Sequence, residues 1–241
     1  MSRKKKAETA PRKAWWPPSS RVFKAVAIVA GVLVLMFAMP RALSRSSFFR
    51  VRRVEVVGAR YLTGPEIVAA LELSQSASLF DPLEPVERAA IAIRGVRRAS
   101  VSRRWPGTLV LRVEEFEPVA FTPRREGLAL VDARGRVLPF DPTRAPADLP
   151  VAPADPLVTR LIARLKESEP AVFRAIVSAS RDRQSVVLEA GDRRFLLRTD
   201  ASAAQLKALA AVVEDLARKG RRYRELDARF TDRVFVRGKP S

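Results

Sequence analysis

The sequence predicts an α+β protein with a transmembrane helix near its N-terminus, and three observations predict it. Residues 25–39 run without a charged side chain behind a basic leader. Residues 50–118 switch between period-two and helical apolar patterns in the order strand, helix, helix, strand, strand. Residues 119–238 carry further short strand patterns interrupted by two amphipathic helices, which gives a second, mixed β-sheet domain.

The leader comes first. Arg3, Lys4, Lys5, Lys6, Arg12, Lys13, Arg21 and Lys24 stand against the single acid Glu8. The apolar stretch from Ala25 to Met39 spans about 22 Å as helix, short of a bilayer core. Val22 and Phe23 lengthen it and Lys24 can snorkel, so a helix over 22–40 approaches a full span. Trp15 and Trp16 precede it as interfacial aromatics. The alternative is a cleaved signal peptide, but a long basic leader and no small-x-small site directly after Met39 favour a retained anchor. The basic excess before the span orients residues 1–21 toward the cytoplasm, against the closely following Arg41, Arg45, Arg50, Arg52 and Arg53. Residues 41–241 then lie outside the cytoplasm.

Over 41–118 the elements follow in order. Val54 and Val56 alternate with charge in an opening strand that ends at Gly58. Thr63 and Glu66 form a capping box before the helix that carries Ile67, Val68 and Leu71. Asp81, Pro82 and Glu84 repeat the device ahead of Val86, Ala89, Ala90 and Ile93, with Gly95 closing that helix. A hairpin turns at Trp105–Thr108, a structural role for Trp105 and Pro106. It returns through Leu109, Leu111 and Val113 on one face. Glu114 and Glu115 point to opposite faces, so they do not make a catalytic carboxylate pair.

Over 119–238, strand patterns at 119–123, 128–131 and 135–138 precede six prolines between Pro139 and Pro156, read as an extended loop. A helix opens at Asp155 with Leu157, Leu161, Ile162 and Leu165 on one face. Strands near 183–190 and 193–198 turn at Gly191 and Asp192. The clearest helix carries Leu206, Leu209, Ala210, Val213, Leu216 and Ala217, closed by Arg218, Lys219 and Gly220. Two short strands, Leu226–Phe230 and Val234–Val236, end the chain ahead of a 239–241 tail. With nothing after it to pair with, the last is expected to form a sheet edge.

Composition narrows the function. None of the 241 residues is Cys or His. That removes disulfide scaffolds, thiol nucleophiles, His-dependent triads and the common zinc, haem and iron–sulfur sites. No catalytic, cofactor-binding or metal-ligating residue is predicted. The formal charge of +19 is mostly arginine scattered among acids, outside any nucleic-acid-binding motif.

Val96, Ala99, Val101, Arg103, Trp105, Pro106, Leu109, Val113, Glu115, Pro118 and Ala120, at their spacing, closely resemble the end of a POTRA domain of the FtsQ/DivIB family of bacterial cell-division proteins. Val54–Gly58 resembles the start of that domain. Leu130, Asp132 and Gly135 are similar to a hairpin of the family, and Asp227, Ala228, Arg229 and Phe230 to its terminal Asp-Leu-Arg-Tyr strand. Arg94-Gly95-Val96 departs from the family's Pro-Trp at that place, and Phe230 stands where the family has tyrosine. The resemblance spans roughly residues 20–238.

It implies a POTRA domain over 41–118 and a β domain over 119–238. It also implies a non-enzymatic, single-pass inner-membrane protein with a periplasmic bulk, enriched at the division septum. Its implied direct partners are FtsB and FtsL, docked by β-augmentation on the C-terminal strands, with other division proteins meeting the POTRA domain and anchor. It would thereby link early division proteins to septal peptidoglycan synthesis. Arg229 would pair with a partner carboxylate and Phe230 would supply an apolar anchor, with Val234, Val236, Arg183 and Arg194 as further candidates. Set against that, Phe230 can equally be core and Arg229 solvated. Two other functions remain open: a POTRA chaperone for outer-membrane substrates, and a membrane-tethered nucleic-acid-binding regulator using the leader.

Overall fold

The computed structural model describes residues 20–44 and 47–238. Most of the basic leader, with Trp15 and Trp16, and the 239–241 tail lie outside the described residues. The chain enters as helix α1 (Ser20–Ser44), 25 residues and so about 37 Å of helix. Its described side chains are those of residues 23–36 and 38, and among the described residues no helix is long and apolar enough to cross a membrane. The expected 22–40 span thus extends past the described side chains. Those that are described, Phe23, Val26, Ile28, Leu35 and Met36 among them, lie exposed.

The first core follows a 3-10 turn at Ser47–Phe49. Strand β1 (Arg53–Val57), helices α2 (Gly64–Ala70) and α3 (Glu84–Ala92), and strands β2 (Val96–Arg104) and β3 (Thr108–Glu115) form a three-stranded sheet in the order β1-β3-β2. β1 runs parallel to β3, a pairing that needs a crossover, and α2 and α3 supply it. Ile67 and Ala90 from the helices meet Leu79, Leu109, Leu111 and Val113 in one buried cluster. The Thr63–Glu66 capping box forms in both directions. The second expected cap does not. Helix α3 starts later, behind Leu83 with no side-chain cap, and the Asp81 carboxylate instead accepts from the Ser78 N–H (2.7 Å). Gly58 has φ +94°, and a Cβ there would collide with the Val113 carbonyl, so only glycine lets β1 leave the sheet so close to β3.

The second core is built on a longer sheet. Strands β4 (Pro118–Arg124), β5 (Gly127–Asp132) and β6 (Val137–Leu138) form one antiparallel set. Helices α4 (Pro156–Ser168) and α5 (Pro170–Ala175) follow, then strands β7 (Ser178–Asp182), β8 (Ser185–Ala190) and β9 (Arg193–Arg198), helix α6 (Ala203–Arg218), and strands β10 (Glu225–Asp227) and β11 (Phe235–Arg237). The last five strands are ordered β11-β10-β9-β8-β7. The proline-rich segment, expected to be irregular, joins the two sets. Val151 bridges Phe121 on one side and Ser178 on the other, both in parallel. Its N–H donates to Val177 O (2.9 Å) and its carbonyl accepts from Ala179 N (2.8 Å), while Phe121 N donates to Pro150 O (2.8 Å).

Three further readings change. Helix α5 and strand β7 appear where none was expected, and the strand expected from 183 begins at Ser185. Arg183 therefore sits in the β7–β8 turn at φ +53°, not on a strand. On α4, Asp155 caps the helix as expected, accepting from Leu157 N (2.9 Å), but Leu157 is only half-buried. Val158 and Thr159 share the buried face with Leu161, Ile162 and Leu165.

The two cores are fastened together at the end of β3. Glu115 accepts from three successive backbone N–H groups, Arg60 (2.9 Å), Tyr61 (2.9 Å) and Leu62 (2.8 Å). Tyr61 then stacks on Phe140 of the second unit, ring centroids 4.9 Å apart and planes 21° from parallel. Arg144 donates to the Tyr61 carbonyl (3.0 Å), and Lys166 pairs with Glu117 (2.5 Å). Glu114, on the opposite face from Glu115 as expected, binds Arg97 and Arg98. Replacing Glu115 by Ala strands three donors at a half-buried site. Glu115→Ala is expected to lower unfolding free energy by about 2–3 kcal/mol, read as a shifted urea midpoint at unchanged slope.

Candidate interaction edge

The C-terminal edge is assembled from the core outward. Ser202 and Gln205 cap α6 reciprocally, and Leu206, Leu209 and Leu216 bury its inner face. The helix carries the chain over the sheet, so that β10 lies parallel to β9 in the register Glu225↔Arg194, Leu226↔Phe195, Asp227↔Leu196. All three residues of β10 are buried. β11 then folds back antiparallel on β10 and occupies the outermost position of the sheet. An outermost strand leaves half its backbone donors and acceptors without a strand partner.

The charged groups here are matched within the sheet. Glu225, at the centre, takes Arg194 on one side (3.0 Å) and Arg237 on the other (2.8 Å). Asp227 accepts from the Arg229 guanidinium at Nε (2.8 Å) and Nη2 (2.6 Å), and from the Arg229 N–H (3.2 Å). The Arg229 guanidinium holds the Asp227 carboxyl below the ordinary aspartate range, outweighing burial, which acts the other way. Asp227 in turn raises Arg229 further above its already high value. Asp232 and Arg233 pair with each other in the connecting loop (2.9 Å).

Several apolar groups here stay exposed. Phe230 lies beyond β10 in the loop, 48% exposed, and meets Phe235 of β11 edge-to-face at a 5.0 Å centroid distance. Phe235 and Val236 are each 46% exposed. Val234 is half-buried against the second core. Gln205 Nε2 donates to the Phe230 carbonyl (3.3 Å), fixing the loop on α6. Phe230 and Phe235 together present an apolar surface beside an open strand, and Val236 lies exposed on that strand's other face.

Of the six expected residues, Phe230, Val234 and Val236 come together here. Arg229 and Phe230 stand just outside β10, not within a strand. Arg229 and Arg194 are held in ion pairs, and Arg183 is in the β7–β8 turn, with β9 and β10 between its strands and β11. Phe235 was missed, although the apolar run Val234-Phe235-Val236 places it on the face opposite its two neighbours. Among the described residues no group of acids is arranged to hold a metal ion.

The Asp227–Arg229 pair makes a stability prediction with a definite sign. Asp227 has a depressed folded pKa, so its bond stabilises the fold above the unfolded value and is lost as pH falls through the folded one. Arg229→Met should cost about 2 kcal/mol at neutral pH, less than for a wholly buried pair because Arg229 is 39% exposed. Chemical denaturation at stepped pH should show the gap between variant and parent closing below about pH 4.

Comparison with known proteins follows this geometry. A family model described as POTRA domain, FtsQ-type, matches residues 49–116, the segment that forms the first core. The cell division protein FtsQ of Rhodothermus marinus is 31% identical over 221 residues, covering 78% of this chain and 77% of that protein. FtsQ of Zymomonas mobilis is 32% identical over 105 residues, 43% of this chain, and the match spans 33% of that protein's length. The solved extracytoplasmic domain of DivIB from Geobacillus stearothermophilus aligns with 44% of this chain and 97% of its own at 22% identity, with a TM-score of 0.33, too low to carry weight. By the Rhodothermus match, over more than three-quarters of each protein, the chain belongs to the FtsQ/DivIB family of cell-division proteins.

Proposed function

We propose that this protein is a membrane-anchored scaffold of the bacterial divisome that captures the FtsB–FtsL pair by β-augmentation on β11. In this reading residues 1–21 are a cytoplasmic tail and 22–40 a single-pass anchor in the inner membrane. Residues 41–118 are a POTRA domain that meets other division proteins, and 119–238 a periplasmic β domain with its binding edge at the end. Capture would bring FtsB and FtsL to the septum and connect early division proteins to peptidoglycan synthesis. No step of this requires catalysis.

One observation carries the reading: an outermost strand flanked by exposed Phe230, Phe235 and Val236, in a sheet where Arg194, Arg229 and Arg237 are held by Glu225 and Asp227. An incoming extended segment gains backbone hydrogen bonds from β11 and apolar contact from the aromatic pair. The anchor is supported separately by the exposed apolar side chains of α1 and by the charge-free run in the sequence.

The test is a pull-down of FtsB and FtsL by the full chain in detergent, parent against Phe235→Glu and Phe230→Glu. A charge at either position should weaken capture about tenfold or more with circular dichroism unchanged. Undiminished capture by both folded variants would remove β11 from the interface, and no capture by the parent would remove the partner assignment itself.

A further inference from the structure

The start of the first core, far from β11 in sequence, carries a second apolar surface that the proposed capture does not use. Phe48 and Phe49 of the 3-10 turn, Phe80 ahead of α3 and Trp105 at the β2–β3 turn form one aromatic cluster. Phe49 is its hub, edge-on to Phe48 (4.9 Å), Phe80 (5.1 Å) and Trp105 (5.5 Å). Phe80 and Trp105 close it at 5.3 Å. The outer members, Phe48 and Trp105, are each 54% exposed. Backbone bonds fix the two contributing segments side by side: the N–H groups of Arg52 and Arg53 both donate to Gly107 O (2.8 and 3.2 Å).

Arginine is dense along the segments that carry these rings. Arg50, Arg52, Arg53, Arg103 and Arg104 are all exposed along the same two segments. The acids among them are already engaged, Glu55 by Arg104 and Asp81 by the Ser78 N–H. Arg103 reaches the carbonyls of Leu79 and Asp81, which holds it beside Phe80. Exposed aromatics on arginine-rich segments match the interfacial layer of a bilayer, where amphipathic rings enter the headgroup region and cations meet phosphate.

Chain length brings that layer within reach. The apolar run of α1 ends at Met39, and the helix continues five residues, about 7.5 Å, to Ser44. Three residue steps from Ser44 to Ser47 add at most about 11 Å. Phe48 therefore cannot lie far from the surface in which α1 is anchored, and the headgroup layer itself is about 5–8 Å deep on each side.

We propose that the aromatic cluster is a membrane-docking foot, seating the first domain on an anionic lipid surface through Phe48 and Trp105 with Arg50 and Arg53 on phosphate. This rests on the anchor reading above. Docking fixes the tilt of the domain to the membrane, and with it the direction in which the rigidly fastened second domain points.

The experiment uses the full chain carrying Trp15→Phe and Trp16→Phe, which leaves Trp105 as the sole tryptophan of three. It is reconstituted into phosphatidylcholine vesicles with or without phosphatidylglycerol, doped with lipid brominated near the top of the acyl chains. Flotation reports the anchor and quenching of Trp105 reports the foot. The expected result is flotation in both lipids, with Trp105 quenched about threefold more strongly when phosphatidylglycerol is present. That excess should fall away in Arg50→Glu/Arg53→Glu and in Phe48→Ser. Flotation with Trp105 unquenched, or quenched equally in both lipids, overturns the foot and leaves the anchor standing. Failure to float overturns the anchor and the foot with it. The comparison of two lipids uses the Trp15→Phe/Trp16→Phe chain alone and does not depend on the Arg50, Arg53 or Phe48 variants folding.

Discussion

The second domain depends on the two-sided pairing of Val151. A strand set ending at β4 and another ending at β7 would each present open backbone in the middle of the domain, where buried donors and acceptors without partners are costly. The segment around Val151 fills that seam, taking Phe121 on one side and Ser178 on the other. Once it is in place, the open backbone of the combined sheet is confined to its ends. β11 is one of these, and so the position of the edge is set from a residue far away in sequence.

That seam also explains how much could be read in advance. Capping residues were legible, because Thr63 with Glu66 and Asp155 with Pro156 act through local hydrogen bonds that need no tertiary partner. Asp81 carried the same local signal and was drawn instead to Ser78, a competition between two nearby donors that sequence does not rank. Val151 was illegible for another reason. Pro150 and Pro153 mark the segment as loop, yet the bonds it makes use the Pro150 carbonyl and the Val151 N–H and carbonyl, none of which proline removes. β7, with the sequence Ser-Ala-Ser-Arg-Asp, has little strand propensity of its own and is a strand because β8 and Val151 pair with it.

The candidate edge shows the same division. The position of a terminal strand could be inferred from chain order, and Phe230, Val234 and Val236 do gather there. The fate of the arginines could not. Arg229 and Arg194 looked available to a partner, but Asp227 and Glu225, two and thirty-one residues away, take them within the sheet. Long-range register decides the second of these pairs. Phe230, Phe235 and Val236 remain exposed, which shifts the expected chemistry of recognition from pairing with Arg229 or Arg194 to aromatic contact.

The brevity of β11 has its own consequence for selectivity. Three residues offer an incoming strand only two or three backbone bonds, each adding about 1 kcal/mol at most over solvation by water. That is far short of lasting attachment, so an arbitrary unfolded segment drifting through the same compartment gains too little to stay. Only a sequence that also fills the space around Phe230 and Phe235 clears the threshold. A long edge would grip anything extended; under the proposed capture, this one would discriminate because it is short.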